Sequence, residues 1–238
     1  MNGIDIVEKD GELEAVVTSS YQKYLDEASF KVNLKKSGIP SDYWDLDFRH
    51  ASVGTNKDVV SKCRMYYSDI WESGKKYSLY LYGKQTSGKT TTACAIGKQW
   101  LMKGKKVQFI LAGDLIDLLM KTQGYNYHPD LEKIKKIYFD SDLLIIDDAF
   151  DKNKSMLWES ESRSLILAEW DRFLRRALAS GVRIVATSNI PFDEVEGYYK
   201  KSIAEIIDRN FSFFAFTEVD MIRKTRKRTI QEESIIPQ

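Results

Sequence analysis

Apolar and polar positions change their period several times along this chain, and each change marks an element. Between Asp58 and Glu72, Val59, Val60, Cys63, Tyr66, Tyr67 and Ile70 recur near helical spacing, which predicts a helix. Tyr77–Tyr82 is short and apolar, and predicts a strand. A helix over Thr90–Lys103 follows, stopped at Lys103-Gly104. Next come a strand at Val107–Leu111 and helical segments at Asp114–Thr122 and Leu131–Asp140, either side of GYNYHP. Asp142–Ile146 is a strand, Ser160–Ser180 a long helix closed by Gly181, and Val182–Ser188 a strand. A helix at Lys200–Asn210 and a strand at Phe211–Thr217 complete the series. In the long helix, Leu165, Ala168, Trp170, Phe173, Leu174 and Leu178 form the expected buried stripe. Residues 1–40 carry the least pattern: one amphipathic helix near Ser19–Ala28, then a turn at Ser37–Pro40, SGIP.

Five apolar strands separated by helices predict an α/β fold with a parallel sheet covered on both faces. Ligands of such sheets sit at the carboxyl ends of the strands. The expected division is an arm at residues 1–36, a domain at 37–228 and a tail at 229–238. With 43% apolar residues in 238, the chain can build a sizeable core. Lys and Arg number 36 against 35 Asp and Glu, so any basic surface must be local. The two cysteines, Cys63 and Cys94, and two histidines, His50 and His128, are too few and too scattered for a structural zinc site. They fit a reducing compartment. No segment approaches the roughly 20 apolar residues that span a bilayer, and the acidic stretch Met1–Glu14 is unlike a signal peptide. A cytoplasmic location without membrane contact is expected.

Three predicted strands end in polar motifs. Leu79–Thr92, LYLYGKQTSGKTTT, gives a strand, a loop with two glycines and the start of a helix. Gly83-Lys84-Gln85-Thr86-Ser87-Gly88-Lys89-Thr90 fits G-x-x-x-x-G-K-[ST] at every fixed position. Gly83 and Gly88 let the backbone wrap closely around phosphate oxygens. Successive amides through Lys84, Gln85, Thr86, Ser87 and Thr91, with the dipole of the following helix, supply a positive concavity. Lys89 is expected to reach the β- and γ-phosphates, and Thr90 to offer its hydroxyl to magnesium. Leu143-Leu144-Ile145-Ile146-Asp147-Asp148 is an apolar strand ending in two carboxylates. Asp147 is assigned to the metal and Asp148 to the attacking water. Val185-Ala186-Thr187-Ser188-Asn189 ends in Asn189, placed to reach that water or the γ-phosphate. ATP and Mg²⁺ are therefore the expected cofactors and ATP hydrolysis the expected reaction. A small-molecule kinase shares the cradle, but the Asp-Asp strand end and TSN favour a hydrolase.

In this order and at these separations, the motifs resemble the AAA+ ATPases, within them the DnaC/DnaI helicase loaders and the related IstB transposition ATPases. The residues that carry the likeness are GKQTSGKTT, LLIIDD, ATSN, IIDRN at Ile206–Asn210 and DMIR at Asp220–Arg223. The resemblance implies a three-layer P-loop NTPase fold of AAA+ type, with strand order 5-1-4-3-2 and no separate helical lid. It implies a homo-oligomer with active sites shared between subunits, in which Arg209 of one subunit reaches its neighbour's γ-phosphate. Arg223 matches the arginine that senses nucleotide in its own subunit, and Arg226 competes for that role. The resemblance further implies that Gly113–Asp140 contacts single-stranded DNA, through Lys121, Lys133, Lys135 and Lys136 with Tyr125 and Tyr127. The implied function is loading of a DnaB-like hexameric replicative helicase onto single-stranded DNA. The alternative is an IstB-like ATPase that recruits a transposase on duplex DNA. No cysteine precedes Cys63, so a zinc module like that of DnaI-like loaders is not expected, and docking of a helicase is expected through the arm.

Overall fold

A computed structural model describes residues 4–9, 12–17, 19–51, 56–73, 78–121, 129–151 and 160–216. Tyr125, Tyr127, Arg223, Arg226 and the question of a lid after the last strand lie outside the described residues. Near the start, β1 (Ile4–Lys9) and β2 (Glu12–Val17) pair antiparallel, with Ile4 opposite Val17 and Lys9 opposite Glu12. The sequence between them is Asp10-Gly11, a pair suited to a two-residue hairpin connection. Three helices follow: α1 (Ser19–Lys36), the short α2 (Phe48–Ala51) and α3 (Lys57–Ser73). The expected helix at Ser19–Ala28 is thus eight residues longer. It is exposed from Gln22 to Ser29, but Leu34 is buried and Phe30 packs beside it. The amide of Phe109 then donates to Ser37 O at 2.7 Å. The last turn of α1 is therefore anchored on the body of the protein, which continues the helix past its unpatterned half.

The body alternates strand and helix: β3 (Ser78–Gly83), α4 (Lys89–Met102), β4 (Val107–Leu111), α5 (Ala112–Lys121), α6 (Pro129–Phe139), β5 (Leu143–Phe150), α7 (Ser160–Ala179), β6 (Arg183–Ser188), α8 (Val195–Tyr198), α9 (Lys201–Asn210) and β7 (Phe211–Phe216). The five later strands form one parallel sheet in the order β4-β5-β6-β3-β7. Counted within the sheet this is 2-3-4-1-5, the expected 5-1-4-3-2 seen from the other edge.

Successive side chains of a strand face opposite ways, so a strand covered on both faces must be apolar throughout. Leu143, Leu144, Ile145 and Ile146 are each at most 2% exposed. Leu143 and Ile145 join Leu79, Leu81 and Val185 against Ala93, Ile96 and Trp100 of α4. Leu144 and Ile146 join Tyr80, Ile184 and Ala186 against Leu115, Trp170, Phe173 and Ile203 of α5, α7 and α9. Full burial of each such side chain contributes about 2 kcal/mol. On α7 the buried arc runs through Ile166, Leu167, Trp170, Phe173, Leu174 and Ala177. Leu165 lies off that arc at 45% exposure, which corrects its expected place in the stripe.

β5 also runs beyond its expected end at Ile146. Ile146 pairs with Ala186 and Phe150 with Ser188, so Asp147, Asp148 and Ala149 stand opposite Thr187 alone. This bulge falls at the carboxyl end of the sheet, beside the loop that leaves β3.

Candidate nucleotide-binding site

The loop from β3 to α4 is shaped by its glycines. Gly83 has φ +145°, and a Cβ there would lie 2.0 Å from Phe216 O of β7, so no larger residue fits. Gly88, φ +95°, caps the N-terminus of α4 in the left-handed conformation. Thr86 adopts φ +62°, unusual for a β-branched residue. Lys84, Gln85 and Thr86 are exposed, whereas Ser87 is fully buried, and Asn56 Nδ2 donates to Ser87 O at 3.0 Å. Asn56 is itself 1% exposed. It fastens the loop from the start of α3, a role its sequence position does not reveal.

Lys89 begins α4 and is 7% exposed. Its ammonium donates to Gly83 O at 2.9 Å, Lys84 O at 2.7 Å and Ser87 Oγ at 3.4 Å. Burial lowers its pKa, opposed by the charges of Asp148 and Asp147. Beside it, Thr90 Oγ1 donates to Asp147 Oδ1 at 2.8 Å. Thr187 Oγ1 donates to the same oxygen at 2.6 Å. Burial raises the pKa of Asp147; Thr187 and Thr90 pull it back down, Asp148 pushes it up, and Lys89 lowers it. The amide of Asp148 donates to Thr187 Oγ1 at 2.9 Å. Lys89, Thr90, Asp147 and Asp148 are therefore gathered at one place, from two segments of the chain.

Asn189 follows β6 and is half-buried. Its neighbours are fixed by a buried hydroxyl network. Tyr80 Oη lies 2.9 Å from Ser188 Oγ and 2.8 Å from Ile190 O, and Ser188 Oγ lies 2.8 Å from Phe150 O. Thr91 is half-buried in the first turn of α4. Arg209 is exposed in the last turn of α9, before β7. Ser78 pairs with Phe211 and Gly83 with Phe216, so Arg209 lies beyond the amino end of the sheet. At about 3.3 Å per residue, the length of β3 separates it from the loop of its own chain by about 20 Å. The structure thus brings together every expected loop and carboxylate residue but not Arg209.

The donor set fits a hard, oxygen-seeking cation: the Thr90 hydroxyl and the Asp147 carboxylate are 2.8 Å apart. Among the described residues no cluster of three or more His, Cys, Asp or Glu could hold a metal. A magnesium ion held by one or two protein oxygens takes its other ligands from water and phosphate. The loop amides at the head of α4 and the Lys89 ammonium fit a triphosphate. Asn56 was not legible as part of this site; Thr187 was visible only as a member of the ATSN motif, without a role of its own, because its partners lie some 40 positions upstream.

A glycine loop leading from β3 into a helix, one strand removed from a strand ending in carboxylates, on a sheet of order 2-3-4-1-5, defines a P-loop protein of AAA+ type. Residues 16–209 match the family described as IstB-like ATP binding protein, and the chain belongs to that family. No curated protein sequence matches it. Among solved structures, AMPPCP-bound DnaA from Aquifex aeolicus superposes with TM-score 0.60 at 16% identity. That likeness covers 84% of this chain and 58% of the DnaA chain, so this chain spans little more than half of that protein. The DnaC helicase loader has TM-score 0.59 at 14% identity, covering 74% of this chain and 99% of that one. DnaI has TM-score 0.59 at 17% identity, covering 75% and 94%. At these identities the likenesses establish the shared fold. Among the described residues no helix is long and apolar enough to cross a membrane.

Proposed function

We propose that this chain binds ATP with Mg²⁺, hydrolyses it at a site shared between subunits, and loads a DnaB-like hexameric replicative helicase onto single-stranded DNA. The observation that carries the nucleotide chemistry is the meeting of Lys89, Thr90, Asp147 and Asp148 at the head of α4. Lys89 and the loop amides from Gly83 to Thr91 hold the phosphates. Thr90 and Asp147 hold the cation, which when bound offsets phosphate charge. Asp148 takes the proton of the attacking water, and Asn189 orients that water. Arg209 acts on a neighbouring subunit's site, because its own lies at the other end of the sheet. Arg223 or Arg226 contacts nucleotide within the subunit.

The loader reading is supported by the match to nearly the full length of the DnaC helicase loader and DnaI structures. Lys121, Lys133 and Lys136 are exposed around α5 and α6, Lys133 in an exposed pair with Asp130 at 2.7 Å, and all three can reach a DNA backbone. Lys135 is not among them: it is 7% exposed and donates to Glu132 Oε1 at 3.0 Å. The arm at residues 1–36 docks the helicase, through turns of α1 that stay exposed from Gln22 to Ser29. The IstB-like family match favours a second reading, a transposition ATPase on duplex DNA that recruits a transposase.

Affinity capture with mass spectrometry separates the two: a replicative helicase supports the first and a transposase the second. The shared site has its own test. Lys89→Ala and Arg209→Ala chains should each be inactive alone. Mixed equally, they should regain turnover at about one quarter of interfaces, as random head-to-tail assembly gives. Normal ATP turnover by Arg209→Ala chains alone would falsify the shared site.

A further inference from the structure

Asp147 and Asp148 are neighbours in sequence, and neighbours on a regular strand point to opposite faces. Yet the charges of both act on Lys89. The ladder between β5 and β6 accounts for this. It is in register at Ile146 with Ala186 and again at Phe150 with Ser188, so three residues of β5 stand against Thr187. Extra residues on one strand break the alternation and re-aim side chains. Asp148 sits in the bulge at φ +51°, in the left-handed region. The ladder leaves a gap there, and Thr187 fills it with its side chain rather than its backbone. Its hydroxyl accepts from the Asp148 amide at 2.9 Å and donates to Asp147 Oδ1 at 2.6 Å. The hydroxyl's one proton and an acceptor site are both used, and Thr187 is fully buried. The next residue closes the far side of the bulge, with Ser188 Oγ 2.8 Å from Phe150 O.

We infer that Thr187 is a positioning residue which holds the bulge of β5 in the one shape that serves both carboxylates to the same site. Both of its hydrogen bonds go to residues of the bulge. It fixes the Asp147 carboxylate beside Thr90 and the Asp148 backbone in the left-handed conformation, and a single hydroxyl does both. The inference rests on the proposed MgATP site and adds a determinant to it.

The test uses full-length Thr187→Val, which keeps the shape without the hydroxyl, and Thr187→Ser, which keeps the hydroxyl. Binding of a fluorescent ATP analogue is titrated with and without Mg²⁺, and ATP turnover is measured alongside. Thr187→Val should bind the metal-free analogue within about twofold of wild type. It should lose about 10–100-fold of the affinity that Mg²⁺ adds, and a similar factor in kcat, the usual effect of removing a partner of a metal ligand. Thr187→Ser should recover both to within about threefold. The assignment is overturned if Thr187→Val keeps wild-type Mg²⁺-promoted binding, or if Thr187→Ser fails as badly as Thr187→Val. A wild-type chain that binds MgATP but does not turn it over ends the hydrolysis reading, and the Mg²⁺ titration still decides for or against Thr187. A wild-type chain whose binding Mg²⁺ does not promote overturns both.

Discussion

The two ends of the sheet bury polar groups in opposite ways. At the amino end, Ser78 Oγ accepts from the amide of Ile184 at 3.0 Å, and Asp142 Oδ2 accepts from the amide of Lys106 at 2.9 Å. Each oxygen closes the start of a neighbouring strand, and the positive φ angles there belong to glycines, Gly104 and Gly181. At the carboxyl end, two residues with side chains, Thr86 and Asp148, hold left-handed backbone. A lysine and an aspartate are buried there, and burial shifts each toward its uncharged form. Hydrogen bonds that satisfy a backbone stabilise a fold; buried charges held against their own desolvation do not. A protein that carries both at opposite ends of the same strands has one end built for folding and one kept for a ligand.

Removing the charge of Asp148 gives the largest expected effect. Asp148→Asn keeps a residue type that tolerates φ +51°. Turnover should fall by about 10²–10⁴-fold while ATP still binds, as loss of a general base does. Single-turnover hydrolysis and equilibrium binding measure the two quantities. Normal turnover in this variant would remove Asp148 from the chemistry and leave the strained carboxyl end without a purpose.

How much of this was written legibly in the chain follows the same division. The loop Gly83–Thr90 and the pair Asp147-Asp148 announce themselves because phosphate and metal chemistry demand those types at fixed spacing. The five strands were legible because strands buried on both faces leave unbroken apolar runs, and their order followed from the resemblance carried by the motifs. The role of Thr187 within ATSN was not legible, because it arises from a register break with a strand some 40 positions away. Lys135 and Leu165 were misplaced because a local stripe does not reveal how far a helix is rotated against its neighbours. The length of α1 depended on a tertiary anchor at Leu34. The pairing of β1 with β2 was not legible in a stretch dense in charge.

The next effect is one of stability and depends on pH. The raised pKa of Asp147 means that its ionised form is the disfavoured one in the fold. Below the ordinary carboxylate pKa of about 4 the group is neutral in both folded and unfolded chains, and no penalty arises. The penalty grows as pH rises through that range and is complete above the raised folded value. Without nucleotide, Asp147→Asn should therefore be more stable than wild type at pH 8, with the gain shrinking toward zero near pH 4. The same variant should lose the affinity that Mg²⁺ adds. A lower melting temperature at pH 8 would show that the threonine hydroxyls and Lys89 outweigh burial, which reverses the contrast between the ends.

The smallest effect on ATP affinity is expected at the amino end. Ser78→Ala leaves the Ile184 amide without its 3.0 Å acceptor at a buried position, which costs about 1–3 kcal/mol. Ser78 and Gly83 are the first and last residues of β3, so the lesion shares a strand with the phosphate loop. If the ends are independent, denaturant midpoints should fall while ATP affinity, measured where the variant stays folded, remains within about twofold of wild type. A loss of affinity matching the loss of stability would mean that β3 transmits strain along its length, and that the quiet end of the sheet is part of the site.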